Sequence, residues 1–209
     1  MIVAYPSLFT PTRLFAADEV MSSPSAAPAA PGVYAWYFDE VPPFIDASGC
    51  HAWQQCTLLY VGISPKAPPM NGRAPSRSTL KARLRTHYGG NAEGSTLRLT
   101  LGCLIAPRVG IELRRVGSGG RQTFTNPGEQ KLDKWMHKHA FVSWMQVEHP
   151  HHVEQNILAS GVRLPLSIDG NPRLEDTMRL KEIRFEARRQ ACDLPIVVDS
   201  GGPRRGGTR

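Results

Sequence analysis

Long apolar runs are missing from this 209-residue sequence: none approaches the roughly 18 consecutive apolar residues that a membrane-spanning helix requires. Met1 to Pro6 shows neither the basic start nor the unbroken apolar stretch of a secretory leader, so a cytoplasmic protein is expected. Cysteine is sparse. Cys50, Cys56, Cys103 and Cys192 are scattered without the spacing of a disulfide framework or a zinc ribbon, which points to reduced thiols. Aromatic residues reach only 8%, and no internal repeat is visible. Acidic residues are the minority charge. Lys and Arg number 25 against 18 Asp and Glu, a net +7 that suits a polyanionic partner, nucleic acid before membrane.

What is abundant is punctuation. With 18 Pro and 19 Gly, uninterrupted helices cannot make up most of the chain. Residues 1–30 read as an N-terminal arm ending in a linker. Tyr5, Leu8, Phe9, Leu14 and Phe15 let the arm dock on a core, whereas the Pro/Ala/Ser-rich stretch 17–31 has nothing with which to bury apolar area. Residues 200–209 read as a flexible basic tail.

Between them, β-branched and aromatic runs bounded by Pro and Gly predict strands over 32–38, 57–63 and 141–147. Ser76 or Ser78 caps a helix that ends at Gly89-Gly90, and Ser95 caps another carrying Leu97, Leu101, Leu104 and Ile105. An insertion near 106–126 contains a hairpin or extended flap around Gly117-Ser118-Gly119-Gly120. Asn126, Pro127 and Glu129 have the order of a cap, a first-turn proline and a capping-box acid, so a helix to about 140 follows. A further helix spans 151–160. The segment 173–199 is a charged C-terminal helix and extension, with Met178, Ile183 and Phe185 in its apolar set. This is an α+β layer fold: a small, mostly antiparallel three-stranded sheet flanked by helices.

Read singly, Gly32-Val33-Tyr34 is a strand beginning and Tyr60-Val61-Gly62 a strand ending. In order, they are followed by a helix with Leu80-x-x-Arg83-Leu84-x-x-His87 and then by a helix bearing Glu154. This set resembles the GIY-YIG nuclease family over about residues 31–172. The resemblance implies a metal-dependent endonuclease with Tyr34, Tyr60, Arg83, His87 and Glu154 as its site, DNA as substrate and one divalent ion, Mg²⁺ or Mn²⁺, on Glu154.

The residue types suit that chemistry. Glu154 offers a hard carboxylate oxygen, and magnesium commonly takes one or two protein carboxylates while keeping its waters. Arg83 offers a planar fork that matches phosphate oxygens. A phenol titrates near 10, so a tyrosine can activate water only where a cation lowers that value. Tyr60 is taken as that base and Tyr34 as the residue that positions the water. His87, one turn after Arg83, relays a proton or binds a flanking phosphate. Lys66, Arg73, Arg77, Lys81 and Arg85 flank the site in sequence as a phosphate-tracking groove requires.

One position departs from the family pattern. Ser167 stands where an asparagine is expected after Pro165, and Asn171 is the nearest substitute. A second reading follows from it: a nucleic-acid-binding or complex-assembly module on the same fold, with weakened catalysis. His149, His151, His152 and Glu154 suggest a transition-metal cluster, although solvated or DNA-facing histidines are the plainer reading. A domain this small commonly finds DNA with help from a partner protein or a second copy of itself.

Overall fold

The computed structural model describes residues 4–68, 74, 76–171 and 173–198. Strand β1 (Gly32–Phe38) is the centre of the fold. It lies between β3 (Cys56–Ser64) and β6 (Ala140–Gln146), antiparallel to both, and the short β2 (Ala52–Trp53) extends the sheet beyond β3. The sheet therefore has four strands where three were expected. The fourth is a two-residue arm of a tight hairpin, with Gln54 and Gln55 at positive φ, too short to carry a periodic signal.

All seven residues of β1 are buried, which explains its unbroken apolar sequence. Tyr34, Trp36 and Phe38 enter one core with helices α3 (Leu80–Gly89), α4 (Thr96–Val109), α5 (Thr125–His139) and α7 (Leu174–Asp193). Val33, Ala35 and Tyr37 enter a second core on the other face, with α1 (Pro6–Phe9) and α6 (Pro150–Ala159). Helices thus cover both faces of the sheet.

The arm docks as its aromatic residues suggest. Leu8 and Phe9 are buried, Phe15 exchanges two backbone hydrogen bonds with Val142, and the Tyr37 hydroxyl and Ser143 Oγ both donate to the Leu8 carbonyl. The stretch 17–31 corrects its expectation. It forms α2 (Ala17–Met21), buries Ala17, Val20 and Ala27, and offers the Pro28 and Ala30 carbonyls to the first amides of α3. Alanine and proline bury little area each, yet this stretch packs against α3 and joins the core through Ala17, Val20 and Ala27.

Helix α3 is capped by Thr79, one residue past the expected serine, and Ser95 caps α4 as expected. The irregular part of the expected insertion is shorter than 106–126. Residues 106–109 finish α4 and 125–126 start α5, leaving a hairpin of β4 (Arg114–Val116) and β5 (Arg121–Thr123). That hairpin packs on the C-terminal segment through the Val116–Val197 bridge.

Helix α7 lies against the core, with Ile183 packed on it as expected, but the rest of its named apolar set turns outward. Met178 and Phe185 are 57% and 70% exposed, while Thr177, Leu180 and Ala191 are buried. The basic tail 200–209 lies outside the described residues.

Candidate active site

The two tyrosines meet through strand register. On β1, Tyr34 faces Gly62 of β3, and Trp36 faces Tyr60, so Tyr34 and Tyr60 are diagonal neighbours on one face with ring centroids 6.3 Å apart. Gly62 is there for space. A Cβ on it would lie 2.7 Å from the Tyr34 hydroxyl and 2.7 Å from Tyr60 Cε1. Gly32 is equally confined: a Cβ would come within 2.3 Å of the Met145 carbonyl oxygen and 2.6 Å of Leu80 Cδ1. Both motif glycines are thus set by close approach.

Helix α3 supplies the polar partners. Arg83 Nε donates to the Tyr34 hydroxyl at 3.4 Å, and its Nη1 donates to the Gly94 carbonyl at 3.0 Å. His87 Nε2 is 2.8 Å from the Tyr34 hydroxyl, and its Nδ1 is 2.7 Å from Ser95 Oγ. The imidazole is fully buried with both nitrogens engaged. The expectation that it binds a flanking phosphate is therefore corrected: His87 orients Tyr34 and is itself fixed by the α4 cap. With the proton on Nε2, the Tyr34 oxygen accepts from both His87 and Arg83, which favours its phenolate.

Burial raises the Tyr34 pKa, and Arg83 opposes that shift by charge and hydrogen bond. The Tyr60 pKa is raised well above its ordinary value by burial first and then by Tyr34, again opposed by Arg83.

Glu154 arrives from α6, whose Ile157 is buried in the core on the other face of the sheet. It joins Tyr34, Tyr60, Arg83, Lys66 and Ser167 around one pocket of about 350 Å³. Burial, reinforced by the facing Asp169 carboxylate, pushes the Glu154 pKa up to about 7, against the pull of Lys66. Asp169 and Arg184 also line this pocket, and neither was anticipated. Asp169 stands two residues from Ser167, in a segment read only for its missing asparagine. Arg184 stands on a helix read as lying outside the domain.

Ser167 is buried and forms a reciprocal pair with β3: the Val61 amide donates to its Oγ at 3.0 Å and Oγ donates to the Val61 carbonyl at 3.2 Å. The shorter side chain thus still ties its loop to the strand beside Tyr60. Asn171 points elsewhere, donating to the Leu164 carbonyl at 3.0 Å.

The cationic set divides. Lys66 is exposed at the pocket mouth, Arg77 is exposed in the loop before α3, and Lys81 is half-buried on α3. Arg85 is corrected: its guanidinium donates to the carbonyls of Val20, Met21 and Ser22, capping the end of α2. Arg73 lies outside the described residues.

For a divalent cation, Glu154 and Asp169 present the hard oxygens that magnesium and manganese take, so the donor set fits such an ion. Among the described residues no group of three or more His, Cys, Asp or Glu gathers to cage a metal, and the histidines of α6 do not form one. Likewise no described helix is long and apolar enough to cross a membrane.

With this geometry in hand, the family model for the GIY-YIG catalytic domain matches residues 32–190, a span that takes in most of α7. No curated protein and no solved structure matches the chain.

Proposed function

This chain belongs to the GIY-YIG family, and from that premise we propose that it is a divalent-metal-dependent DNA endonuclease. The family's catalytic domain implies nuclease-type phosphodiester hydrolysis; DNA as substrate and magnesium or manganese as the ion are our reading. The observation that carries it is the convergence of two phenols, a guanidinium and a carboxylate on one pocket from four separate elements.

Tyr34 is the base in this reading, replacing the earlier preference for Tyr60. Its oxygen faces Arg83 and His87, whereas the charge nearest Tyr60 includes the Tyr34 oxygen itself, which opposes ionisation. The attacking water gives its proton to Tyr34 and Tyr60 holds that water in place. Arg83 keeps donors beyond Nε and Nη1 with which to hold a phosphate oxygen as charge builds on the phosphorus centre. Glu154, assisted by Asp169, would hold the ion. When bound, the ion supplies Lewis-acid stabilisation of the phosphate and of the leaving oxygen. In this reading Lys66, at the pocket mouth, and the exposed Arg77 before α3 supply positive charge for the incoming strand.

The weakened-module reading rests on Ser167 in place of an asparagine; Ser167 keeps two hydrogen bonds to Val61, and cleavage separates the two readings. The test is cleavage of supercoiled plasmid with Mg²⁺ or Mn²⁺ by the full chain and by Glu154→Ala. The variant should lose at least about a hundredfold in rate, the size expected when a metal's charge stabilisation is removed. Equal cutting by both proteins overturns the assignment.

A further inference from the structure

Helix α7 carries a charge on the wrong side. Its core-facing stripe runs through Thr177, Leu180, Arg184, Ala187 and Ala191, at spacings of three and four residues. Four of these five are small or apolar and pack inward; the fifth is a guanidinium, while Met178 and Phe185 face solvent. Such an inversion calls for a reason, because a partly desolvated cation is costly unless something neutralises it.

A fully buried arginine on α4 shows what neutralisation looks like here. Arg98 is fully buried: it donates to Glu129 Oε2 at 2.6 Å and to the His87, Tyr88 and Glu129 carbonyls, and its Nη1 lies 2.7 Å from Asp133 Oδ1. Arg184 is half-buried, and among the described residues no hydrogen bond or ion pair engages it. Its surroundings are the catalytic pocket itself, where it shares the wall with Arg83, Glu154 and Asp169.

We propose that Arg184 is a second phosphate-binding guanidinium of this site, reaching from α7 to hold a backbone phosphate of the strand whose neighbouring linkage is cut. The inference rests on the nuclease reading above and extends it. Asp169 fits this role as the residue that steadies the guanidinium while no phosphate is present, since it lines the same pocket and its negative charge favours the charged arginine. Arg188, one turn on, presents like charge, so an incoming anion meets two cations on this helix. Burial lowers the Arg184 pKa without bringing an arginine near neutrality, so the group stays charged.

The test uses the full chain carrying Glu154→Gln in EDTA, so that binding is read without cutting, and a fluorescein-labelled DNA duplex followed by anisotropy. Adding Arg184→Gln should weaken binding about tenfold and reduce the slope of log K against log salt by about one. Arg184→Lys should keep that slope while recovering only part of the affinity, because an ammonium lacks the fork. Arg189→Gln removes the same charge from the exposed face of α7, where it pairs with Glu186, and should change affinity less than about twofold.

In the cleaving protein, Arg184→Gln should raise KM more than it lowers kcat. Arg184→Gln behaving like Arg189→Gln overturns the proposal, as does Arg184→Lys binding like the parent with a reduced slope. Thermal melting checks that each variant is folded, and Arg184→Lys decides the matter if the glutamine variant is not. A wild-type chain that binds DNA in an Arg184-dependent way yet never cuts would sink the nuclease reading and leave this one standing.

Discussion

Burial and the facing Asp169 carboxylate raise the Glu154 pKa from 4.5 to about 7, so near neutral pH the metal-free side chain is about half protonated. The sign of the consequence follows from where the proton sits. Between pH 4.5 and 7 the folded state holds a proton that the unfolded chain has released, so this group's contribution is intact below 4.5 and is lost as pH rises through 7. Glu154→Gln, which is neutral throughout, should therefore raise the melting temperature in EDTA at pH 8 and leave it unchanged at pH 4.5. A gain of 1 kcal/mol corresponds to about 2–4 °C in a chain of this size. Added Mn²⁺ should then stabilise the wild type and not the variant. Equal melting shifts at both pH values, or a less stable variant at pH 8, contradict the buried-carboxylate account.

At the scale of elements, the junction of α3, α4 and α5 holds the tyrosine-facing histidine in place. Arg98 on α4 binds the last carbonyls of α3 and the Glu129 carboxylate of α5, while Glu129 Oε1 accepts from the Ala92 and Phe124 amides. Arg98→Met should cost about 3–5 kcal/mol in urea unfolding, because Glu129 is left buried and uncompensated. The double variant Arg98→Met/Glu129→Gln should lose less than the sum of the two singles; strict additivity would refute the coupling.

The same junction marks where sequence reading stops. Tyr34, Tyr60, Arg83 and Glu154 were legible because their motifs, taken in order, resemble the GIY-YIG family, and the fold brings all four to one pocket. Glu129 was read as a local capping acid and Arg98 was passed over, since nothing within one helix reveals a partner 31 positions away. The face of α7 was misjudged for a related reason: Met178 and Phe185 are apolar but face outward, and only the packing of α4 decides which stripe turns inward. Asp169 and Arg184 escaped notice because only the tertiary fold brings them into one pocket with Glu154.

For the whole molecule, the arm ahead of the family's catalytic domain is part of the fold. Leu8, Phe9 and Val20 are buried, and burying such side chains is worth about 1.5–3 kcal/mol each. Phe15 also covers the outer edge of β6, whose unpaired backbone would otherwise be open to another strand. A chain beginning at residue 31 should melt at least about 10 °C lower and self-associate in size-exclusion chromatography. An unchanged melting point and a monomeric profile would mean that the arm is dispensable.

Glu154 belongs to a helix seated in one core, while Tyr34 and Arg83 belong to the other, with the sheet between them. The pocket proposed for hydrolysis is therefore a joint between elements packed into two separate cores. Small sliding of α6 over the strands would detune the reaction long before either core comes apart, so activity reads the alignment of the two halves more finely than any spectroscopic measure of folding.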